Sequence, residues 1–422
     1  MKVLIKQAHI VCSSSPLHGQ VKDILIIDGI IEKIAAAIGD HADEVIAHDN
    51  LHVSTGWMDS FADFADPGYE SRETIETGAA AAAAGGFTEV MLLPNSHPVV
   101  HNKAQVEYLV QRGRDHAVNI HPIGAISKNA EGKDLAEMYD MLNSGAIAFS
   151  DGKNTIQDAG LLLKALQYVK PFGGTVIQIP EDKSIGSGGL MNEGLISTRM
   201  GLPGKPAISE EIMIARDIKL ARYAGSKLHF TGVSSAKSLE YIQKAKSGGI
   251  EITCSVTPYH LYFCDEDLQQ YDTNLKVNPP LRTSADRDAL RKGLADGTID
   301  SIASHHLPQD WDSKTCEFEY AKAGMIGLES LFGVLGAAMS DWPLDKKIEA
   351  LTVTPRKIFG QEIPALQEGA KANLTLFDPS AEYEFGEHMI QSRSKNSAFI
   401  GKQLRGKVIG IINGPKRRFN NN

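Results

Sequence analysis

The stretch "MDSFADFADPG" (58–68) ends a segment that reads as a buried strand and runs into a turn. Alternation along a strand puts Asp59, Phe61 and Asp63 on one face. Further carboxylates and imidazoles sit where other candidate strands end. They are Asp151 in "AFSDG", Glu181 and Asp182 in "IPED", His260 in "TPYHL", and His305 and His306 in "SHHLPQ". Groups of these two kinds move protons and bind metal ions. Asp63, Asp151, His305 and His306 suffice for a single-ion site if they converge. The plain alternative is that His305 and His306 are ordinary histidines paired with Asp63 or Asp151.

Convergence needs an architecture. Both ends of the chain are rich in short strands: "KVLIKQAHIV", "DILIIDG" and "IIEKIA" at one end, "ANLTLFDP" and "LRGKVIGIINGPKRRF" at the other. This predicts one small β domain built from residues 1–52 and 361–422. Residues 53–360 alternate instead. "VSTGWMDSFAD", "GFTEVMLLP", "GTVIQIPE", "SKLHFTGV" and "TIDSIASH" read as strands. "TIETGAAAAAAGG" and "SAKSLEYIQKAKSGG" read as helices stopped by glycine. Eight such units fit the roughly 250-residue span of a parallel (β/α)8 TIM barrel. No GxGxxG follows the first central strand, which argues against a doubly wound sheet. A barrel does its chemistry at the C-terminal ends of its strands. The residues to watch are then Phe61 and Asp63, Asn95, Asp151, Glu181, Thr231 to Ser234, and His305.

The 422 residues carry a formal net charge of −9, which argues against a nucleic-acid partner. The basic run Lys416, Arg417, Arg418 reads as a solvated terminus. Cys12, Cys254, Cys264 and Cys316 are scattered, as expected of reduced thiols. No apolar run approaches the length of a membrane span. A cytoplasmic protein without a membrane partner is the expectation.

Several segments together resemble the dihydroorotases, cyclic amidohydrolases of the metal-dependent amidohydrolase superfamily. They are "DPGYESRETIETGAAAAAAGGFTEVMLLPN", "NEGLISTRMGLPGKPAISEE", "VTPYHL", "LKVNPPLR", "LTVTPRKIFG" and "GAKANLTLFDP", in the family's order. The resemblance implies a (β/α)8 barrel with a small β-sandwich domain formed by both termini. It also implies one or two zinc ions at the barrel mouth, which polarise an amide carbonyl and activate water. At the positions of the family's metal ligands this chain has Phe61, Asp63, Asp151, Ile179, Gly232 and His305. His305 stands where the family has the aspartate that binds metal and acts as base. Ala65 stands where the family has an arginine that clamps the substrate carboxylate. Asn95 and Asn278 match positions that touch the substrate ring, and Pro279, Pro280 and Arg282 keep a loop shape.

Phenylalanine, isoleucine and glycine side chains cannot ligate metal. The leading expectation is a catalytically inactive member with no bound cofactor, in which Phe61 and Ile179 pack into the barrel mouth. Its retained fold would serve a structural or partner-binding role in pyrimidine biosynthesis. The expected partner is a second copy of the chain, aspartate carbamoyltransferase or an active dihydroorotase. One alternative is an active cyclic amidohydrolase with a rebuilt single-zinc site at Asp63, Asp151 and His305. Another is a metal-free barrel that binds a small molecule through Asn95 and Asn278. His229 and His260 read as packed histidines.

Overall fold

The computed structural model describes residues 1–420. Strands β1 (Lys2–Ile10), β2 (Val21–Ile27), β3 (Ile30–Ala35), β4 (Glu44–Ile46) and β5 (His52–Thr55) come first. The central region supplies β6 (Trp57–Ala62), β7 (Phe87–Leu92), β8 (Asn119–Gly124), β9 (Ala148–Phe149) and β10 (Val176–Gln178). A two-stranded ribbon follows, β11 (Met191–Asn192) and β12 (Gly204–Lys205). Then come β13 (Leu228–Thr231), β14 (Ile252–Val256) and β15 (Ser301–Ile302). The C-terminal part adds β16 (Asn373–Glu384), β17 (Gln403–Asn413) and β18 (Lys416–Phe419).

Strands β6 to β10 and β13 to β15 pair in parallel in chain order and make the (β/α)8 barrel. Closure between the first and last strands runs through residues just past β15. Ala62 bridges His306, and the Asp63 amide donates to the His306 carbonyl at 2.9 Å. The buried Asp59 carboxylate accepts from the Ser304 amide (2.6 Å) and hydroxyl (2.8 Å). Asp59 is thus committed to the seam. The barrel interior holds Met58, Phe61, Met91, Ile123, Ile177 and Ile179, all buried.

The helices follow from their ends. Thr74 caps Ile75–Ala84 in a reciprocal box with Thr77. The alanine run of that helix lets it lie close on β7. Gly86, at φ +90, ends the turn where a Cβ would stand 2.7 Å from the Trp57 ring.

The termini form the small β-sandwich domain. Its sheet runs β18-β17-β16-β5-β1-β2-β3, with β4 beside β1. A bridge from Ile30 to Lys371 folds the sheet back over a core that includes Ile5, Ile24, Val53 and Leu374. The expected strand "VSTGWMDSFAD" is in fact two. Gly56 separates β5, which pairs in the terminal sheet through Thr55, from β6 in the barrel. A Cβ on Gly56 would meet Asn373 Oδ1 at 1.9 Å. The two units share an aromatic contact, with the Trp57 ring 4.8 Å from Phe332 and 5.5 Å from Phe377.

The basic run is not a solvated terminus. It is strand β18, paired antiparallel with β17. Lys416 donates to the His116 carbonyl at 3.1 Å, and Arg417 pairs with Glu44 at 2.6 Å. Among the described residues no helix is long and apolar enough to cross a membrane.

Candidate functional site

The strand ends place Phe61, Asp63, Asp151, Ile179, Gly232 and His305 around the barrel mouth. They do not converge on one point. The Phe61 ring is stacked on the His305 imidazole, with centroids 4.5 Å apart and planes 29° apart. His305 lies at φ +44, a left-handed conformation that costs a non-glycine residue roughly 1–2 kcal/mol. Its Nε2 bonds the Thr231 hydroxyl at 2.7 Å. The ring sits over Gly232, itself at φ +70. A Cβ there would stand 2.7 Å from His305 Cε1 and 3.3 Å from Pro279 Cδ. The His305 ring therefore fills the space into which a side chain at 232 would project.

Asp63 is also taken. Its carboxylate accepts from the Ala65 amide (2.8 Å) and pairs with the Lys153 ammonium (2.7 Å). Burial alone would raise its pKa, but the Lys153 charge reverses this and holds it below the ordinary carboxylate range. Asp151 turns the other way, to the Ser127 amide (2.9 Å) and hydroxyl. Burial pushes its carboxyl up to about 6, against the lowering effect of those two bonds.

The expected ring-contact residues are engaged as well. Asn95 donates to the Asp151 carbonyl (3.0 Å) and accepts from the Lys153 amide (2.9 Å). It thereby holds the turn that aims Lys153. Asn278 accepts from Lys205 (2.8 Å) and donates to Glu181 (2.9 Å). Lys205 and Glu181 are themselves paired at 2.5 Å. Buried Arg282 bonds Asn192 (3.0 Å), Ser234 (3.1 Å) and the Lys205 carbonyl (2.7 Å), fixing the loop it belongs to.

Behind His305 the barrel carries a chain of hydrogen bonds. Thr231 accepts from Ser255 (2.9 Å), Ser255 meets His229 (3.1 Å), and His229 meets Thr253 (2.9 Å). Burial pushes the His229 and His305 imidazoles down to about 3 and His260 to about 4. All three are neutral near pH 7. His306 also lines the mouth cavity, and its Nε2 is held by buried Glu73 at 3.4 Å.

A zinc ion needs several nitrogen, sulfur or oxygen donors on one centre. Here each candidate donor is held by a different neighbour, and Phe61 and Ile179 contribute only hydrocarbon. No group of three or more His, Cys, Asp or Glu side chains placed to hold a metal ion occurs among the described residues. These residues do not fit the zinc ions that the family resemblance implies. The remaining cavity, lined by Phe61, Leu93, Lys153, Tyr259, Asn278 and His305 among others, has a volume of about 20 Å³. That is room for one water, whereas ligand pockets measure roughly 300–1,000 Å³.

The sequence reading did not single out Lys153 or Lys205. The one available signal was a lysine two residues beyond Asp151, on the turn after β9.

Solved structures share this architecture. L-Hydantoinase (dihydropyrimidinase) from Arthrobacter aurescens superposes with a TM-score of 0.84 over 98% of this chain and 95% of that one, at 23% identity. Dihydropyrimidinase from Brevibacillus agri gives 0.80 over 100% and 95%, at 20% identity. The fold is the (β/α)8 barrel with a small β domain that these hydantoinase structures share. In sequence, residues 53–238 match the family described as dihydro-orotase-like. Proteins named dihydroorotase from Pelotomaculum thermopropionicum and Caldicellulosiruptor saccharolyticus are 42% and 40% identical. These alignments cover 96% and 97% of this chain, and 96% of each relative. The chain belongs to the dihydroorotase family.

Proposed function

We propose that this chain is a catalytically inactive dihydroorotase relative, kept in the pyrimidine pathway for a structural or partner-binding role. One observation carries the reading: the His305 ring lies between Phe61 and Gly232, in space that a metal site at these strand ends would need. The Lys153 ammonium on Asp63 supports it, since a fixed cation already meets the carboxylate at that position. Ala65 leaves a substrate carboxylate without an arginine, and a bidentate clamp is not replaced by a methyl group.

Readings that load the barrel mouth have less support. A rebuilt zinc site needs Asp63, Asp151 and His305 to leave their present partners. A small-molecule site at Asn95 and Asn278 needs a cavity far larger than about 20 Å³. The role proposed instead is cytoplasmic. It is assembly with a second copy of the chain, with aspartate carbamoyltransferase, or with an active dihydroorotase of the same cell.

The test is dihydroorotate turnover by the purified full chain, assayed with and without added zinc, beside elemental analysis. The expected result is no hydrolysis above a no-enzyme control and far less than one zinc per chain. Stoichiometric zinc that disappears from an Asp151→Ala, His305→Ala double variant would instead support the rebuilt site. Co-elution with purified aspartate carbamoyltransferase or dihydroorotase tests the partner, and a strictly monomeric species that co-elutes with neither counts against it.

A further inference from the structure

The largest cavity, about 490 Å³ beside β18, is lined by Lys407 and Arg418 but also by Glu329 and Glu384, so its charges balance. A second cavity is different. It measures about 240 Å³, lies between the barrel and the terminal domain, and shares no lining residue with the barrel mouth. The helices Leu331–Ala338 and Leu344–Leu351 give it Phe332, Gly336 and Lys347. The irregular part of β16 adds Pro379 and Ser380, and β17 adds Arg405.

Lys347 and Arg405 are the two charged residues of that lining, and both are cations. Lys347 is only 8% exposed. Its ammonium has neither a hydrogen-bond acceptor nor an ion pair among the described residues. The same is true of the exposed Arg405 guanidinium. Burial lowers the Lys347 pKa below the ordinary lysine value, and the Arg405 charge lowers it further, against an opposing effect of Asp341. The two cations are therefore near enough to repel. Carboxylates around the cavity do not enter its lining. Asp378 Oδ1 accepts from Asn50 (2.6 Å) and from the Ser380 amide and hydroxyl (2.9 Å each). Asp341 is exposed and accepts from the Ser340 hydroxyl at 3.3 Å. Glu382, opposite Arg405 in the β16–β17 register, is exposed and forms no ion pair with it.

We propose that this interdomain cavity binds a small phosphate-type oxyanion, as free phosphate or as the phosphate group of a small monoester. A buried ammonium without a partner is costly, and an oxyanion supplies the missing charge and acceptors. A guanidinium fork beside it matches the phosphate oxygens in shape. The volume lies below the roughly 300–1,000 Å³ of drug-sized ligand pockets, which suits a small ion. Buried Phe332 beside the cations lowers the local dielectric and strengthens the attraction. Because the site is separate from the barrel mouth, it stands whether or not the barrel hydrolyses dihydroorotate.

Isothermal titration of the full chain with inorganic phosphate, glycerol 3-phosphate and acetate, at fixed ionic strength, tests this. At least one of the two phosphates should bind, and more tightly than acetate; the tighter of the two identifies the source. Lys347→Met should weaken that binding about tenfold or more, and Arg405→Gln should weaken it too. Lys347→Met should also raise the melting temperature of the ligand-free protein, because it removes an unpaired buried charge. No binding of either phosphate at millimolar concentration would overturn the proposal. So would acetate binding as tightly as phosphate, or unchanged binding in a folded Lys347→Met, Arg405→Gln double variant. A Lys347→Met protein less stable than the parent would overturn it as well, since the ammonium would then have a partner within the protein.

Discussion

The His305 imidazole and the Phe61 ring lie stacked with centroids 4.5 Å apart, and Gly232 lies beneath the imidazole. The three positions form one packing unit. Gly232→Ala should therefore destabilise the protein by about 1–3 kcal/mol through overpacking, with roughly 1 kcal/mol more from placing alanine at φ +70. In a His305→Ala background the overpacking part should vanish. A double-mutant cycle by urea denaturation measures the coupling, and additive effects would count against the contact.

Phe61→Ala removes the other half of the stack and opens a hole in the barrel interior. The expected loss is about 3–5 kcal/mol, read from the same denaturation curves with an unchanged slope. A variant as stable as the parent would mean that the ring is not packed.

The Asp63–Lys153 pair has a defined sign. Lys153 holds the Asp63 pKa down, so the pair stabilises the fold above the unfolded carboxylate pKa and loses that contribution as pH falls through the depressed value. Lys153→Met leaves the buried carboxylate unpaired and should cost about 3 kcal/mol at pH 7. That is the low end of the range, because Lys153 is 31% exposed. The deficit should shrink on acidification as Asp63 takes up a proton, and Asp63→Asn should rescue the variant. A pH-independent deficit would contradict the pairing.

Neutral imidazoles behave in the opposite sense from a histidine that gains an acidic partner. His229, His260 and His305 have folded pKa values of about 3, 4 and 3, against about 6.5 unfolded. Each contributes stability that is present above 6.5 and lost as pH falls toward its folded value. The raised carboxyl of Asp151 opposes this below about 6. His229→Gln isolates one imidazole: the stability lost between pH 7 and pH 5 should be smaller by about 2 kcal/mol than in the parent. An equal loss in both proteins would show that His229 titrates normally.

Chelation supplies a fourth kind of test. With Phe61, Ile179 and the Lys153 ammonium at the mouth, folding should not depend on bound metal. Overnight treatment with EDTA should leave the melting temperature unchanged, and a fall reversed by zinc would point to a structural ion.

Much of this protein is legible in its sequence. The β-rich ends, the alternating middle and the glycine stops after helices are local patterns set by side-chain period and backbone preference. They specify a barrel and a terminal β domain without reference to distant contacts. The identities of Phe61, Ile179, Ala65 and Gly232 likewise state on their own that no donor stands at those positions. What only the tertiary structure decided is where the remaining donors point. Asp63 finds a lysine 90 residues away and His305 a threonine 74 residues away. Those partners meet only because the barrel closes and brings β6, β13 and the segment after β15 around one mouth. The same holds for Arg418. Sequence shows three consecutive basic residues, but pairing of β18 with β17 turns one to Glu44 and another into a cavity. Period and composition are properties of neighbours along the chain, whereas hydrogen-bond partners and cavities depend on which strand ends share a rim.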